Sequence, residues 1–362
     1  MHIAILGAGL MGRLLACELL KADHQVSVYE ATSEKSPNSC ARVAAAMLSP
    51  LAESTVTEDS VVLMGLYGLK RWPILLEGLD PKVFFQQKGT IVVWHRQDVH
   101  EAKRFRSQLQ ATSQRIPELP IIQELDKSSL VNIEPSLGEK FKDAIYLPEE
   151  GQLDNQQLLH SLQAKIITSG GQLFWDSPKQ INQFSPGKPG EPDWIIDCRG
   201  LGAREEWTNL RGVRGEILTL HAPMVTLSRP IRLIHPRYPL YIAPKENDTY
   251  RVGATEIESD DMSPMSVRSS LELLSAAYSV DSGFAEARII DMSVQCRPAL
   301  RDNLPSFNFQ NENILQINGL YRHGFLIAPA MLDSAMQIIT SGSTKSANKF
   351  NIKISQSHIY SS

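Results

Sequence analysis

Short unbroken apolar runs alternate along this chain with stretches in which apolar residues return every three or four positions. His2-Ile3-Ala4-Ile5-Leu6 is a run of the first kind, suited to a strand buried on both faces. It passes directly into Gly7-Ala8-Gly9-Leu10-Met11-Gly12. Arg13 to Lys21 is rich in helix formers, and Gln25-Val26-Ser27-Val28-Tyr29-Glu30 reads as a second strand ending in an acid. Cys40 to Pro50, with Ala44-Ala45-Ala46 at its centre, follows serine and asparagine and stops at proline, which predicts a short helix. Glu58 to Leu79 has helical spacing. Val83-Phe84-Phe85-Gln86 and Thr90-Ile91-Val92-Val93-Trp94, on either side of Lys88-Gly89, predict a hairpin. His100 to Gln110 and Asp126 to Glu134 read as helices, with irregular chain from Pro135 to Pro148.

From there the two rhythms return. Gln156 to Thr168 predicts a helix closed by Gly170-Gly171, and Gln172 to Trp175 and Trp194 to Gly200 predict strands, the alternation of a doubly wound sheet. Strand signals then dominate: Gly215 to Leu220, Leu240 to Pro244 and Tyr250 to Thr255, with Lys245-Glu246-Asn247-Asp248 as a hairpin turn and one helix at Val267 to Ser279. Ile314 to Ile317 resumes the first sheet and Ala328 to Ile339 closes it with a helix. Beyond Ser341 the chain is polar and loose, apart from a candidate strand at Asn351 to Ile354. The expected class is α/β. A discontinuous Rossmann-type domain takes 1–80, 146–205 and 297–340. An α+β domain on an antiparallel sheet takes 81–145 and 206–296, and 341–362 form a polar tail.

Strand, glycine loop, helix, strand and acid in this order are a dinucleotide-binding unit. Gly7 allows the tight turn, Gly9 lets backbone approach a pyrophosphate, and Gly12 lets the helix lie on the strand. The helix N-terminus offers free N–H groups to phosphate, and Glu30 can accept hydrogen bonds from a ribose diol while repelling a 2′-phosphate. The motif does not separate NAD from FAD. The 362 residues suffice for two domains. A net charge of −4 gives no footprint for nucleic acid. No uninterrupted apolar run reaches bilayer length, the start lacks a basic leader region, and the expectation is a cytoplasmic protein. The four cysteines and nine histidines show no metal-ligand spacing, so no metal site is expected.

Taken together, the glycine motif with Glu30, Ala44-Ala45-Ala46-Met47-Leu48-Ser49-Pro50, Arg214-Gly215-Glu216, Tyr241-Ile242-Ala243-Pro244, Gly253-Ala254-Thr255-Glu256, Arg297-Pro298 with Asp302 and Pro305, and Gly319 to Gly324 resemble the glycine oxidase and D-amino-acid oxidase family, especially its thiamine-biosynthesis branch. The resemblance covers residues 1 to about 335 and implies FAD, non-covalently bound. It implies oxidation of a small amino acid or amine to an imine, hydrolysed to the oxo acid, with oxygen reduced to hydrogen peroxide. A dehydrogenase using another acceptor and a catalytically silent flavin protein are the alternatives. A homo-oligomer is compatible with it.

The resemblance also implies the site. Arg297 grips the substrate carboxylate with its planar fork, Tyr241 donates a second bond to it, and Arg322 lines the substrate side, with Met47 and Glu256 in the pocket wall. Cofactor contacts fall to Gly7, Gly9, Leu10, Met11, Gly12, Glu30, Arg42, Ala45, Ala46, Met47, Lys179, Gly200, Arg297, Arg322, His323, Gly324, Phe325 and Leu326. Each has a plainer alternative: Arg297 a surface ion pair, Tyr241 a core residue, Arg322 a sheet-edge cap and His323 a turn residue. Glu256 has two readings. Pointing inward, away from Arg297, it favours a cationic substrate group; pointing outward, it joins Glu258, Asp260 and Asp261 in an acidic loop. Leu320-Tyr321 and Lys245 depart from the family pattern, and the first of these departures puts the pocket shape, and with it glycine as the natural substrate, in question.

Overall fold

The computed structural model describes residues 1–35, 38–235 and 240–356. Its strands, in chain order, are β1 (His2–Leu6), β2 (Gln25–Tyr29), β3 (Met47–Leu48), β4 (Phe85–Gln86), β5 (Thr90–Val93), β6 (Gln123–Asp126), β7 (Asp143–Leu147), β8 (Gly151–Leu153), β9 (Gln172–Phe174), β10 (Trp194–Asp197), β11 (Arg211–His221), β12 (Ile231–Leu233), β13 (Leu240–Pro244), β14 (Thr249–Gly253), β15 (Arg288–Ala299), β16 (Ser306–Asn311), β17 (Ile314–Asn318) and β18 (Lys353–Gln356). The α-helices are α1 (Leu10–Lys21), α2 (Pro50–Glu53), α3 (Asp59–Leu76), α4 (Val99–Arg115), α5 (Lys127–Ile133), α6 (Asn155–Thr168), α7 (Val267–Val280), α8 (Gly324–Ser341) and α9 (Lys345–Lys349).

Three sheets result. The first, β18-β16-β17-β10-β1-β2-β9, is parallel except for the β16–β17 pair. The second, β15-β11-β14-β13-β12-β5-β7-β6, is antiparallel except for β5–β12. A small third sheet, β3-β8-β4, lies in the segment between them. Alternate residues of β1 take opposite faces: Ile3 and Ile5 join α1, α3, α6 and α8 in the main core, while Ala4 and Leu6 meet Ile181 and Phe184. Helices therefore cover one face of the first sheet and a short loop covers the other, instead of the doubly wound arrangement.

Helix α8 is, by length and composition alone, apolar enough to cross a membrane, although Asp333, Ser334 and Gln337 interrupt its apolar run; two-thirds of that stretch is buried within the fold, against α3 and α1. It also begins before the expected Ala328, because Pro329 is accommodated inside it. Proline cannot donate to the carbonyl four residues back. That carbonyl, Phe325 O, instead accepts the Trp72 indole N–H at 2.8 Å. Gly68 of α3 faces the same turn, where a Cβ would stand 2.3 Å from Leu326 O.

Other expectations change with long-range pairing. The 83–94 stretch is no hairpin: β4 pairs with β8, and β5 with β7 and β12. The alanine run is not a helix. A single 3-10 turn at Cys40–Arg42 gives way to extended chain and β3, with Ala46 in the left-handed region at φ 51°. β7 forms in the stretch read as irregular. The tail beyond Ser341 is ordered through Gln356: α9 packs on α8, and β18 adds to the sheet beside β16. Residues 357–362 of that tail lie outside the described residues.

Candidate active site

Two groups of candidate residues emerge. The first surrounds the start of α1. Gly7 has φ 97°, and its N–H donates to Tyr29 O at 2.8 Å, which binds the loop to the end of β2. A Cβ on Gly12 would meet Gly7 O at 2.0 Å, whereas one on Gly9 would meet nothing within 4 Å. Gly9 therefore exposes open backbone at the helix N-terminus, and Leu10 and Met11 are buried behind it. Glu30 Oε2 accepts Ala8 N–H at 2.8 Å, and Oε1 accepts both the N–H and the hydroxyl of Thr32 at 3.0 Å. Three of its roughly four acceptor positions are used, leaving room for one ribose hydroxyl where the sequence suggested two. Lys179 Nζ lies over the ring of Tyr29, the last residue of β2, at 5.7 Å. Gly200 (φ 56°) is held at the sheet end by Asn318 Nδ2 on its carbonyl.

The second group lies where the first sheet meets the second. Asn155 Nδ2 donates to Ala41 O and Arg42 O at 2.8 Å, fixing the 3-10 turn. Lys245 holds the next stretch: its buried ammonium donates to Ala45 O (2.9 Å), Gln152 Oε1 (3.0 Å) and Leu153 O (2.8 Å). Three donors meet three neutral acceptors, with no ion pair to a carboxylate among the described residues, and burial lowers its pKa to about 7. Ala46 O accepts Leu153 N–H, and Met47 pairs with Gln152 across β3 and β8. The Ala45–Met47 backbone is thus fixed from two sides.

At the centre sits Glu53, which the sequence reading did not single out. It ends α2, is buried, and lies 2.8 Å from Arg322 Nη2 and 3.4 Å from His323 Nδ1, while its Oε1 accepts the Tyr241 hydroxyl at 3.2 Å. Burial works to raise the Glu53 pKa, but Arg322, His323 and Arg232 outweigh it and hold the carboxyl at about 2. Arg232, also unanticipated, donates to Ala52 O (2.8 Å) and to the Tyr241 hydroxyl (3.0 Å). The signal available for Arg232 was an arginine between apolar neighbours in Ile231-Arg232-Leu233; Glu53 carried none beyond an acid following Pro50-Leu51-Ala52. Tyr241 is half-buried and already engaged on both sides. Burial lowers the His323 pKa to about 4, so the imidazole is neutral at pH 7.

Arg322 is bracketed. Opposite Glu53, its Nη1 donates to Glu256 Oε2 at 2.8 Å, and Glu256 Oε1 accepts the Tyr321 hydroxyl at 2.7 Å. Glu256 therefore turns toward the arginines, not outward with its acidic neighbours. It does not lie apart from Arg297, for it is the leading charge acting on that residue. Arg297 donates to Thr255 O (3.1 Å) and Arg214 O (3.5 Å) and makes no ion pair among the described residues. Its guanidinium passes over Gly215, where a Cβ would stand 2.3 Å from Nη2. Gly324 opens α8 with nothing within 4 Å of a Cβ, a second helix start with free backbone, and Phe325 and Leu326 are buried behind it.

The glycine loop open at Gly9, with an acid at the end of β2 and a second open helix start at Gly324, is the arrangement of a dinucleotide-binding enzyme whose second sheet closes over a charged junction. The chain belongs to the FAD dependent oxidoreductase (DAO) family, which matches residues 2–331. It is 35% identical over 332 residues to a Rhizobium etli protein named thiamine biosynthesis oxidoreductase ThiO, covering 91% of this chain and 94% of the relative. It is 24% identical over 349 residues to the glycine oxidase of Geobacillus kaustophilus, covering 90% and 89% of the two chains. The crystal structure of that glycine oxidase superimposes with a TM-score of 0.78 over 93% of this chain and 94% of its own, and that of iminodiacetate oxidase from Chelativorans sp. BNC1 with 0.79 over 97% and 99%, at 22% and 20% identity. FAD is the family's cofactor.

Proposed function

We propose that this chain oxidises an amino acid to its imine, which water hydrolyses to the oxo acid and ammonia, with oxygen as the acceptor and hydrogen peroxide as the second product. The observation that carries the reading is Arg297: a guanidinium at the sheet junction with carbonyl contacts and, among the described residues, no carboxylate in ion-pair contact, Glu256 acting on it only from beyond that range. A planar fork without an acid partner suits a substrate carboxylate. Gly7, Gly9, Leu10, Met11, Gly12, Glu30 and Lys179 would hold the nucleotide end of FAD, and Arg42, Ala45–Met47 and Gly324–Leu326 its flavin end. FAD, when bound, accepts the two electrons and the hydrogen that leave the substrate carbon.

The protein's part is positioning and electrostatics. Arg297 orients the carboxylate. Tyr241, fixed between Glu53 and Arg232, forms a rigid wall. Glu53, with a pKa of about 2, and His323, with one of about 4, are both poor proton acceptors at neutral pH. The substrate ammonium therefore loses its proton to solvent before the carbon–hydrogen bond breaks.

A panel of amino acids and secondary amines added anaerobically to the yellow protein tests the reading. Bleaching by at least one amino acid, with matching oxygen uptake and peroxide in air, is expected. Bleaching that is followed by turnover with a dye acceptor, but not with oxygen, would replace the oxidase by a dehydrogenase.

A further inference from the structure

Six charged side chains alternate in sign from the back of the site to Arg297. Arg232 is the charge that acts on Glu150. It donates to the Tyr241 hydroxyl at 3.0 Å, and that hydroxyl donates to Glu53 at 3.2 Å. Glu53 pairs with Arg322, Arg322 with Glu256, and Glu256 acts on Arg297. Three acids thus face three arginines, while Tyr241, Tyr321 and His323 among them are neutral at pH 7. The row balances only while Glu150 is ionised.

Glu150 is the member worst placed to hold its charge. Its side chain is fully buried. Oε1 accepts the Ala52 N–H at 2.8 Å, but Oε2 completes no hydrogen bond among the described residues, and neither do the neighbouring hydroxyls of Ser49 and Thr90. Glu53 and Glu256 each touch Arg322 at 2.8 Å, whereas Glu150 makes no ion pair among the described residues. Arg232 is engaged with Ala52 O and the Tyr241 hydroxyl instead. Ser49 and Ala52 reach the carboxyl from the start of α2, Thr90 from β5 and Arg232 from β12, with Tyr241 of β13 beyond. Burial outweighs them and pushes the Glu150 carboxyl up to about 7.

A carboxylate arriving at Arg297 adds a further negative charge to a row in which charges are felt over longer distances than in water. We propose that Glu150 sets the affinity of the site for its substrate carboxylate, taking a proton from water as the carboxylate arrives and returning it as the carboxylate leaves. This rests on the reading of Arg297 as the carboxylate holder. Glu150 is a positioning residue: it acts through its charge and through the Ala52 peptide, which it grips at the N–H and Arg232 grips at the carbonyl, immediately before Glu53. Protonated Glu150 leaves the row one positive charge in excess, which favours an anion. Carboxylate affinity is therefore highest below about pH 7 and falls as pH rises through it.

Propionate, the skeleton of alanine without its amine, keeps a single charge from about pH 6 to 8.5 and can be titrated into the FAD-saturated protein through the change in flavin absorbance. Its Kd should rise about fivefold or more over that range. In Glu150→Gln, which still accepts from Ala52 N–H, the profile should be nearly flat at the wild-type acid value. Lys245, whose pKa is also about 7, is the competing group, and Lys245→Met should keep the wild-type slope. A flat wild-type profile, a slope that survives in Glu150→Gln, or one that disappears in Lys245→Met overturns the assignment. If Glu150→Gln does not fold, the wild type alone decides: binding near pH 7.5 should take up part of a proton, seen as a calorimetric enthalpy that depends on the buffer, and zero uptake refutes the linkage. Propionate that binds Arg297→Ala as tightly as the wild type overturns the carboxylate reading and this linkage with it, whereas a flat profile with Arg297-dependent binding overturns the linkage alone.

Discussion

Glu53 and Arg322 meet at 2.8 Å across the junction of the two large sheets, one at the end of α2 and the other in the turn leading into α8. Their pairing couples the walls of the site to the stability of the fold. Removing Glu53 leaves Arg322 with Glu256 as its ion-pair partner among the described residues, so the cost is that of a lost charge-assisted hydrogen bond, ~1.5–3 kcal/mol. Glu53→Ala also deprives the Tyr241 hydroxyl of its acceptor. Urea unfolding of this variant at neutral pH should show a loss of that size, and an unchanged midpoint would refute the coupling.

The same carboxyl sets an acid limit. Its pKa is about 2 in the fold against an ordinary 4.5. A depressed pKa means the unfolded chain binds the proton first as pH falls, so the stabilisation is complete above about pH 4.5 and is lost on the way to about pH 2. Glu53→Gln should flatten that part of the wild-type stability profile.

Two glycines of one motif should fail differently. Gly9→Val places its side chain in open space, so the protein should fold, with native circular dichroism, but purify colourless because the pyrophosphate path is blocked. Gly12→Ala would set a methyl 2.0 Å from Gly7 O, within the packing of α1 on the loop, and should lower yield and melting temperature. Full colour in Gly9→Val would remove the phosphate from this loop.

What could be read from the chain follows the range of the interactions. The β1–α1–β2 unit depends on neighbours in sequence, and the structure reproduces it, with α1 starting three residues earlier, at Leu10. The hairpin Leu240–Gly253 is equally local. By contrast, β4 and β5 look like hairpin arms but take partners from 151–153, 143–147 and 231–233, and β16 accepts β18 from a tail whose polarity suggested loose chain. The site divides in the same way. Arg297, Arg322 and Tyr241 stand in recognisable local motifs, whereas Glu53 and Arg232 acquire meaning only when α2 and β12 are brought against Tyr241. The inward turn of Glu256 likewise depends on Tyr321 and Arg322, which are distant in sequence.

Lys245 provides an alkaline test of the loop it holds. Burial lowers its pKa from 10.5 to about 7, so between these values the unfolded chain carries a proton that the folded one does not. Stability should therefore rise as pH increases from about 7 to 10.5, while the neutral amine gives up one of three donors to Ala45, Gln152 and Leu153. Lys245→Met should abolish this rise and weaken FAD retention at pH 6, measured by release of flavin fluorescence on dilution. A variant with the wild-type pH slope would show that Lys245 does not titrate there.

Arg297 gives the sharpest test of the reaction. Its guanidinium has carbonyl contacts from Thr255 and Arg214 and, among the described residues, no ion pair; burial presses its pKa downward against the more distant charge of Glu256, so a substrate carboxylate would improve its surroundings as well as be held by it. Truncating one side of such a contact costs ~2–5 kcal/mol, and 2.7 kcal/mol corresponds to about a hundredfold in rate. Arg297→Ala should therefore lower kcat/KM on the best amino acid by at least about a hundredfold while the protein remains yellow. Arg297→Lys should recover charge but not the planar fork, and so regain only part of the loss. The loss should be far smaller for an amine lacking a carboxylate, because such a substrate never used the contact. An equal loss for both classes would make Arg297 a support of the fold, and the carboxylate would have to be held elsewhere.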